Sequence, residues 1–114
     1  MSLKQFKVPG RGDLVWLDFT PQAGHEQAGR RPAVVLTESA YNKKTGLAVV
    51  CPITTQAKGY PFEVSIPACL PIVGVVLADH VHNVDWNARR CEVVGTMPAD
   101  TLDDVLAKLN ASLY

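Results

Sequence analysis

Charged and polar side chains stand directly before an apolar run in the segment GHEQAGRRPAVVL. A guanidinium offers paired N–H donors in a planar fork, which suits the oxygens of a phosphate group. The alternative is structural, because an ion pair of Arg31 with Glu26 or Asp18 would only order the end of the strand. The segment is therefore a candidate for phosphate recognition at the start of a buried strand. Its polar candidates are His25, Glu26, Arg30 and Arg31.

Positive charge is unevenly distributed along the chain. Lys plus Arg and Asp plus Glu number 11 each, so the net charge is zero and does not favour a polyanion as partner. If the basic residues of the first half converge in space, they can still hold a phosphate backbone locally. Otherwise they are solvated charges on loops. These residues are Arg11, Arg30, Arg31, Lys43, Lys44 and Lys58.

Short apolar and β-branched runs predict six strands. The first covers residues 13–19 and ends at a Thr-Pro turn signal. Apolar runs follow over 31–37 and 47–53, and we interpret the polar ESAYNKKTG between them as a hairpin connection. FEVSI, GVVLADHV and CEVVGTM complete the series. Strands at this spacing predict a small barrel or sandwich, in a single domain over residues 1–114.

The hydrophobic period changes after Pro98. Apolar residues then recur at spacings of three and four, which places them on one face of a helix. Acidic residues near the start of this segment suit the helix dipole. We expect the helix to cover the open side of the barrel rather than to bind a ligand. Its apolar positions are Leu102, Val105, Leu106, Leu109 and Leu113.

The composition, 47% apolar and 19% charged, is that of an ordinary folded protein. No apolar run reaches the length of about 18 residues that a membrane span needs, and no signal peptide is recognisable, so we expect a cytoplasmic location. Cys51, Cys69 and Cys91 are widely spaced in apolar surroundings, which predicts reduced packing residues. We expect neither a metal nor a cofactor, because His, Cys and carboxylates show no metal-ligand spacing.

Four blocks of the sequence together resemble the MazF and PemK family of bacterial toxin endoribonucleases. The blocks are GDLVWLDF, GHEQAGRRPAVVLT, ITTQAKGYPFEV and LADHVHNVDW. The resemblance covers nearly the whole chain in order, and the blocks match in both sequence and spacing. It implies a mainly β fold, a small SH3-like β-barrel with a C-terminal α-helix, which acts as a homodimer. It also implies the toxin of a toxin–antitoxin pair that cleaves single-stranded RNA at short sequences without a metal, leaving 2′,3′-cyclic phosphate and 5′-hydroxyl ends.

The resemblance assigns catalytic roles to Arg31, before the proline of the RP pair, and to Thr54, the first threonine after the third predicted strand. Attack of the 2′-oxygen gathers negative charge on the phosphate, which a guanidinium stabilises and a hydroxyl can orient. Because arginine stays protonated, the general base is another group. Glu26 ranks above His25, since the family commonly has serine at the histidine position, although a histidine pKa suits neutral pH better.

Other polar residues of these blocks are candidates for RNA contact, because their side chains can hydrogen-bond to exposed base edges. Arg30 is expected to contribute less than Arg31 to RNA cleavage, since alternation along the strand points its side chain to the opposite face of the sheet. We expect Trp16 and Trp86 to be core or dimer-interface residues rather than stacking platforms. The RNA-binding candidates are His25, Gln27, Thr55, Gln56, Lys58 and Asp79.

The segment SIPACLPIVG departs from the family pattern, because it is apolar and proline-rich where relatives often carry polar residues. It could shift the RNA groove or form a partner surface. His80 and His82 follow it and leave the base preference open.

Two other functions compete with the nuclease. One is a toxin of the same barrel shape that poisons DNA gyrase, and the other is a catalytically inactive RNA-binding regulator. The presence of both Arg31 and Thr54 favours the nuclease. An acidic, largely disordered antitoxin segment is the expected inhibitor of a groove built for a polyanion.

Overall fold

The computed structural model describes residues 6–19 and 29–113. Within these ranges the strands are β1 (Asp13–Phe19), β2 (Gly29–Val35), β3 (Leu47–Thr54), β4 (Glu63–Ser65), β5 (Val75–Leu77), β6 (His82–Asp85) and β7 (Glu92–Thr96). The helices in the same ranges are α1 (Ser39–Thr45) and α2 (Ala99–Leu113). Neither of these two described helices is long and apolar enough to cross a membrane.

All strand pairs are antiparallel, and the order along the sheet is β4-β5-β3-β2-β1-β7. The long strand β3 connects the parts of this sheet, since its end pairs with β5 while its beginning pairs with β6. In the described ranges β4 and β7 are the two ends of the path, so the sheet is barrel-like but not closed. The predicted mainly β fold with a C-terminal helix is confirmed.

The apolar runs in β1 and β2 are continuous because both faces of these strands are buried. Successive side chains of a strand point to opposite faces, so Leu14 and Val34 enter one core cluster while Val15 and Val35 enter another. Helix α2 covers the first cluster through its fully buried Val105. The predicted packing of this helix on the sheet is therefore confirmed.

The second and third strands pair antiparallel, as the predicted hairpin connection requires, but the connection contains helix α1. Asn42 is fully buried there and donates hydrogen bonds to the carbonyl oxygens of Pro9 (2.7 Å) and Thr37 (3.0 Å). The backbone carbonyl of Asn42 accepts a hydrogen bond from the indole N–H of Trp86 at 2.8 Å. Gly46 ends the helix, with a φ of 76°. Tertiary hydrogen bonds that local sequence does not reveal thus stabilise the helix.

Other strand predictions also differed from the structure, and the fifth, GVVLADHV, is reduced to Val75–Leu77. The second strand begins at Gly29 and ends at Val35, two residues earlier at each end than predicted. Strand β6 was not predicted, because only Val84 of its four residues is buried and the segment is otherwise polar. The first strand and the C-terminal helix lie where the sequence placed them.

The cysteines differ in their surroundings. Cys51 and Cys91 are buried free thiols, and burial raises the pKa of each to about 12, so both are packing residues as predicted. Cys69 is also a free thiol but is exposed, in a turn where its φ is 75°. The prediction of a packing role was therefore wrong for Cys69, because the apolar neighbours in sequence do not enclose it.

Candidate active site

A cleft of about 510 Å³ opens where the beginning of β2 lies beside the end of β3. We call it the β2–β3 cleft. Its polar wall comes from the two strand ends and its apolar wall from the segment before β5. The residues that line it are Trp16, Arg30, Arg31, Pro32, Ile53, Thr54, Thr55, Gln56, Pro71, Ile72 and Val73.

The strand register explains why the two predicted catalytic residues meet in this cleft. Ala33 of β2 pairs with Pro52 of β3 in antiparallel orientation. Continuing the two strands by two residues in opposite directions leads to Arg31 on one side and Thr54 on the other. The pairing thus places a guanidinium and a hydroxyl on the rim of one cleft, although they are 23 positions apart in the chain.

The hydroxyl of Thr54 has a defined orientation. Its oxygen accepts a hydrogen bond from the backbone N–H of Gln56 at 3.1 Å. Because the oxygen serves as acceptor here, the hydroxyl proton remains available to donate to an anion in the cleft. Thr54 is half-buried, whereas the neighbouring Thr55 and Gln56 are exposed.

Arg30 also borders the cleft, but its guanidinium is bound to the sheet. It donates to Asp18 Oδ1 (3.0 Å) and to the carbonyl oxygens of Trp16 (3.0 Å) and Arg90 (2.8 Å). Glu92 Oε1 lies 3.6 Å from the same guanidinium. These contacts join β2 to β1 and β7, and they indicate that Arg30 holds the cleft together.

Asp18 is at the centre of this ion-pair network. Arg90 donates from Nε to Asp18 Oδ2 at 2.7 Å, and Arg30 binds the other oxygen. The hydrogen bond from Arg90 lowers the pKa of Asp18, partial desolvation opposes this shift, and the bond from Arg30 adds to it. The carboxylate that the sequence offered as a possible partner of Arg31 is therefore bound by Arg30 and Arg90.

A second cleft of about 210 Å³ adjoins the first at Thr54, and we call it the Lys58 cleft. Glu63 fixes its rim, because its carboxylate accepts from the backbone N–H groups of Lys58 (2.9 Å) and Gly59 (3.0 Å). This arrangement brings together a cation, an amide and an exposed aromatic ring. The lining residues are Thr54, Gln56, Lys58, Tyr60, Glu63, Leu77 and His80.

The remaining candidates from the sequence are placed less directly. Asp79 is exposed and lies 3.8 Å from His80 Nε2, beside the Lys58 cleft but not among the residues that line it. His25, Glu26 and Gln27 lie outside the described residues. Within residues 6–19 and 29–113, no three His, Cys, Asp or Glu side chains are grouped so that they could hold a metal ion.

The sequence raised SIPACLPIVG as a segment that could shift the RNA groove, but it did not identify which of its residues or which aromatic side chains line the two clefts. Trp86 is buried as predicted, while Trp16 packs on the core and also borders the β2–β3 cleft. Tyr60 and the Pro71–Val73 wall carried no signal beyond their unusual composition, because their role depends on which strand ends they face. The available clue to a place in the clefts was that these residues lie near the ends of predicted strands.

Known proteins are similar to this chain over most of its length. The endoribonuclease toxin MazF of Escherichia coli K12 is 50% identical over 103 residues, which cover 90% of this chain and 92% of that protein. The endoribonuclease PemK of Escherichia coli is 34% identical over 107 residues, covering 90% and 80% of the two chains.

Solved structures agree with the fold. A crystal structure of MazF from Deinococcus radiodurans has a TM-score of 0.86 and 59% identity, covering 94% of this chain and 97% of that one. A crystal structure of MazE-MazF from the same organism has a TM-score of 0.88 and 59% identity, covering 94% and 96%. The family described as PemK-like, MazF-like toxin of type II toxin-antitoxin system matches residues 10–113. With this match over nearly its whole length, the chain belongs to the PemK-like, MazF-like toxin family.

Proposed function

We propose that the chain is the toxin endoribonuclease of a type II toxin–antitoxin pair. It cleaves single-stranded RNA at short sequences without a metal and leaves 2′,3′-cyclic phosphate and 5′-hydroxyl ends. The observation that carries this proposal is the meeting of Arg31 and Thr54 on the rim of the β2–β3 cleft. Relatives up to 50% identical that are named endoribonucleases support the same activity.

The reaction needs charge stabilisation and two proton transfers. The 2′-oxygen attacks phosphorus and loses its proton to a base, and the bond from phosphorus to the 5′-oxygen breaks as that oxygen gains a proton. Arg31 stabilises the charge that develops on the non-bridging oxygens, because its paired donors match their spacing. Thr54 donates a hydrogen bond that fixes the phosphate in line with the attack. Glu26 is our choice for the base, with His25 as the other candidate.

RNA binding extends from the catalytic cleft into the Lys58 cleft. Lys58 supplies a positive charge for the backbone, while Thr55 and Gln56 can hydrogen-bond to base edges beside the cut. Asp79 would contact RNA at the outer rim, next to His80. His25 and Gln27 are assigned to the same surface from the sequence alone.

The partners follow from the family and from the charge of the site. We propose a cytoplasmic homodimer in which each chain forms one domain over residues 1–114. A cognate antitoxin blocks the cleft with an acidic segment that folds on binding. Relatives crystallised as MazE-MazF support a protein partner for this family.

Incubating the purified protein with RNA in excess chelator tests the activity. We expect discrete fragments whose 5′ ends accept phosphate from a polynucleotide kinase without prior dephosphorylation. Arg31→Ala is the matched control, and its RNA should remain intact. Products with 5′-phosphate ends, or loss of cleavage on chelation, would contradict the mechanism. Intact RNA together with inhibition of DNA gyrase would instead support the alternative toxin.

A further inference from the structure

We infer that residues 67–74, the apolar part of SIPACLPIVG, position Thr54 in the cleft. Gly74 is the positioning residue that contacts Thr54. The inference rests on the proposed role of Thr54 in RNA cleavage. It assigns a role to the stretch that departs most from the family pattern in the sequence.

Gly74 lies against the backbone of Thr54 with no room for a side chain. Its φ is 126°, a conformation that favours glycine. A Cβ atom added there would lie 2.8 Å from the carbonyl carbon of Thr54 and closer still to its oxygen. The same atom would lie 3.3 Å from the Cα of Thr55. Any other residue at this position must displace the end of β3.

Hydrogen bonds hold Gly74 in this place. Its carbonyl oxygen accepts from the backbone N–H of Ile66 at 3.0 Å, and the next residue, Val75, pairs with Thr54 in the sheet. Thr54 is the last residue of β3, where a strand would otherwise fray. The close contact with Gly74 therefore fixes the backbone that carries the catalytic hydroxyl.

The rest of the segment forms the apolar wall of the β2–β3 cleft, and its side away from Thr54 is fixed by the core and by β7. Ile72 is 2% exposed and anchors the segment in the core, while Pro71 and Val73 face the β2–β3 cleft. A Cβ atom at Gly95 of β7 would lie 2.7 Å from Cγ of Pro71, so this glycine lets the wall approach the sheet. Glycines thus provide the space on both sides of the segment.

A hydroxyl that orients a phosphate is effective only within a narrow range of positions. A shift of the β3 end that relieves these contacts is small compared with the cleft and leaves its charged residues in place. It would, however, misalign the hydrogen bond to the reacting phosphate. We therefore expect substitutions at Gly74 to reduce the rate of the chemical step more than RNA binding.

A double-mutant cycle between Gly74→Ala and Thr54→Ala tests the inference. Single-turnover cleavage is measured for both single variants and the double variant, and binding is measured with RNA that carries a 2′-deoxy sugar at the mapped cut site. We expect Gly74→Ala to slow cleavage by about tenfold or more, with affinity changed less than about threefold. In the Thr54→Ala background the same substitution should change the rate by less than about threefold.

Gly46→Ala is the matched control for backbone strain. Gly46 also has a positive φ, of 76°, but a Cβ atom there would meet nothing within 4 Å. This variant should lose stability and keep a rate within about twofold of the parent. If Gly74→Ala does not fold, Gly95→Ala takes its place in the double-mutant cycle. We again expect this substitution to slow cleavage when Thr54 is present and to have little effect when Thr54 is replaced by alanine.

Two results would overturn the inference. One is an equal loss of rate with and without Thr54, which indicates a general structural defect. The other is a folded Gly74→Ala variant with the parent rate while Thr54→Ala is slow. If Thr54→Ala itself cleaves at the parent rate, the proposed role of Thr54 is wrong and this inference fails with it.

Discussion

Two adjacent arginines have different surroundings at the beginning of β2. The guanidinium of Arg30 donates hydrogen bonds to Asp18 and to two carbonyl oxygens, and it also forms an ion pair with Glu92. Its donors are therefore used within the fold. The side chain of Arg31 is exposed on the rim of the β2–β3 cleft, across from Thr54. The printed contacts of Arg30 stabilise the sheet, whereas the proposed phosphate contact of Arg31 rests on its place on the cleft rim.

Substitutions of these residues should affect different properties. Arg31→Ala and Thr54→Ala should each slow single-turnover cleavage by about a hundredfold or more, because each removes a donor to the transition state. Arg30→Ala should mainly lower the denaturant midpoint, since it leaves Asp18 with one cationic partner fewer. Thermal and denaturant unfolding provide the control for folding. If Arg30→Ala were folded and as slow as Arg31→Ala, the assignment of the catalytic guanidinium would be wrong.

The Asp18 network predicts a pH dependence of stability. The folded-state pKa of Asp18 is lowered from 3.8, so its charge stabilises the fold above the unfolded pKa. This contribution is lost as the pH falls through the lower, folded-state pKa. The parent should therefore exceed Asp18→Asn in urea midpoint at pH 7, and the gap should narrow below about pH 4. An unchanged gap at pH 3 would contradict the role of the charge.

Among the elements, strands were predicted better than their connections. The run over residues 13–19 has β-branched and aromatic residues between turn signals, and β1 has the same bounds. Helix α1 could not be read from ESAYNKKTG, because its stability depends on the bonds of Asn42 to distant carbonyls. The catalytic roles of Arg31 and Thr54 were predicted from the resemblance to the MazF and PemK family, and the structure places both residues on one cleft. The segment SIPACLPIVG was noted for its composition, but no local pattern predicts that its residues Pro71–Val73 face the end of β3.

The stability of helix α1 can be tested through the buried hydrogen bonds of Asn42. Asn42→Ala leaves the carbonyl groups of Pro9 and Thr37 without their buried donor, which should cost about 1–3 kcal/mol of unfolding free energy. Urea unfolding followed by the tryptophan fluorescence of Trp16 and Trp86 measures the loss. Cleavage by the folded variant should be unchanged. A stability within error of the parent would show that these bonds do not hold the helix.

At the scale of the whole molecule, apolar surface remains uncovered in the single chain. Val73 is 64% exposed and Val81 is 41% exposed, and the aromatic side chains of Tyr41 and Tyr60 are exposed as well. A two-fold interface is the commonest way for a small protein to cover such surface. Light scattering on the purified protein should therefore give the mass of a dimer at micromolar concentration. A monomer mass there would reject the proposed assembly.

Because the net charge is zero, the field of the whole protein does not favour a polyanion, and the proposed RNA binding depends on one local site. That site brings a guanidinium, an oriented hydroxyl and a neighbouring lysine to the ends of β2 and β3. Its proposed chemistry depends on the 2′-hydroxyl of the RNA itself, because that group is the nucleophile. Replacing this hydroxyl in the substrate therefore tests the proposed cleavage mechanism.

The measurement compares two RNA strands that differ only by a 2′-deoxy sugar at the mapped cut site, in the presence of chelator. Mass spectrometry of the fragments identifies the phosphate at the new 3′ end. We expect the all-ribose strand to be cut to a 2′,3′-cyclic phosphate and the substituted strand to be bound but left intact. Cleavage of the substituted strand at the same position would contradict the mechanism assigned to Arg31 and Thr54.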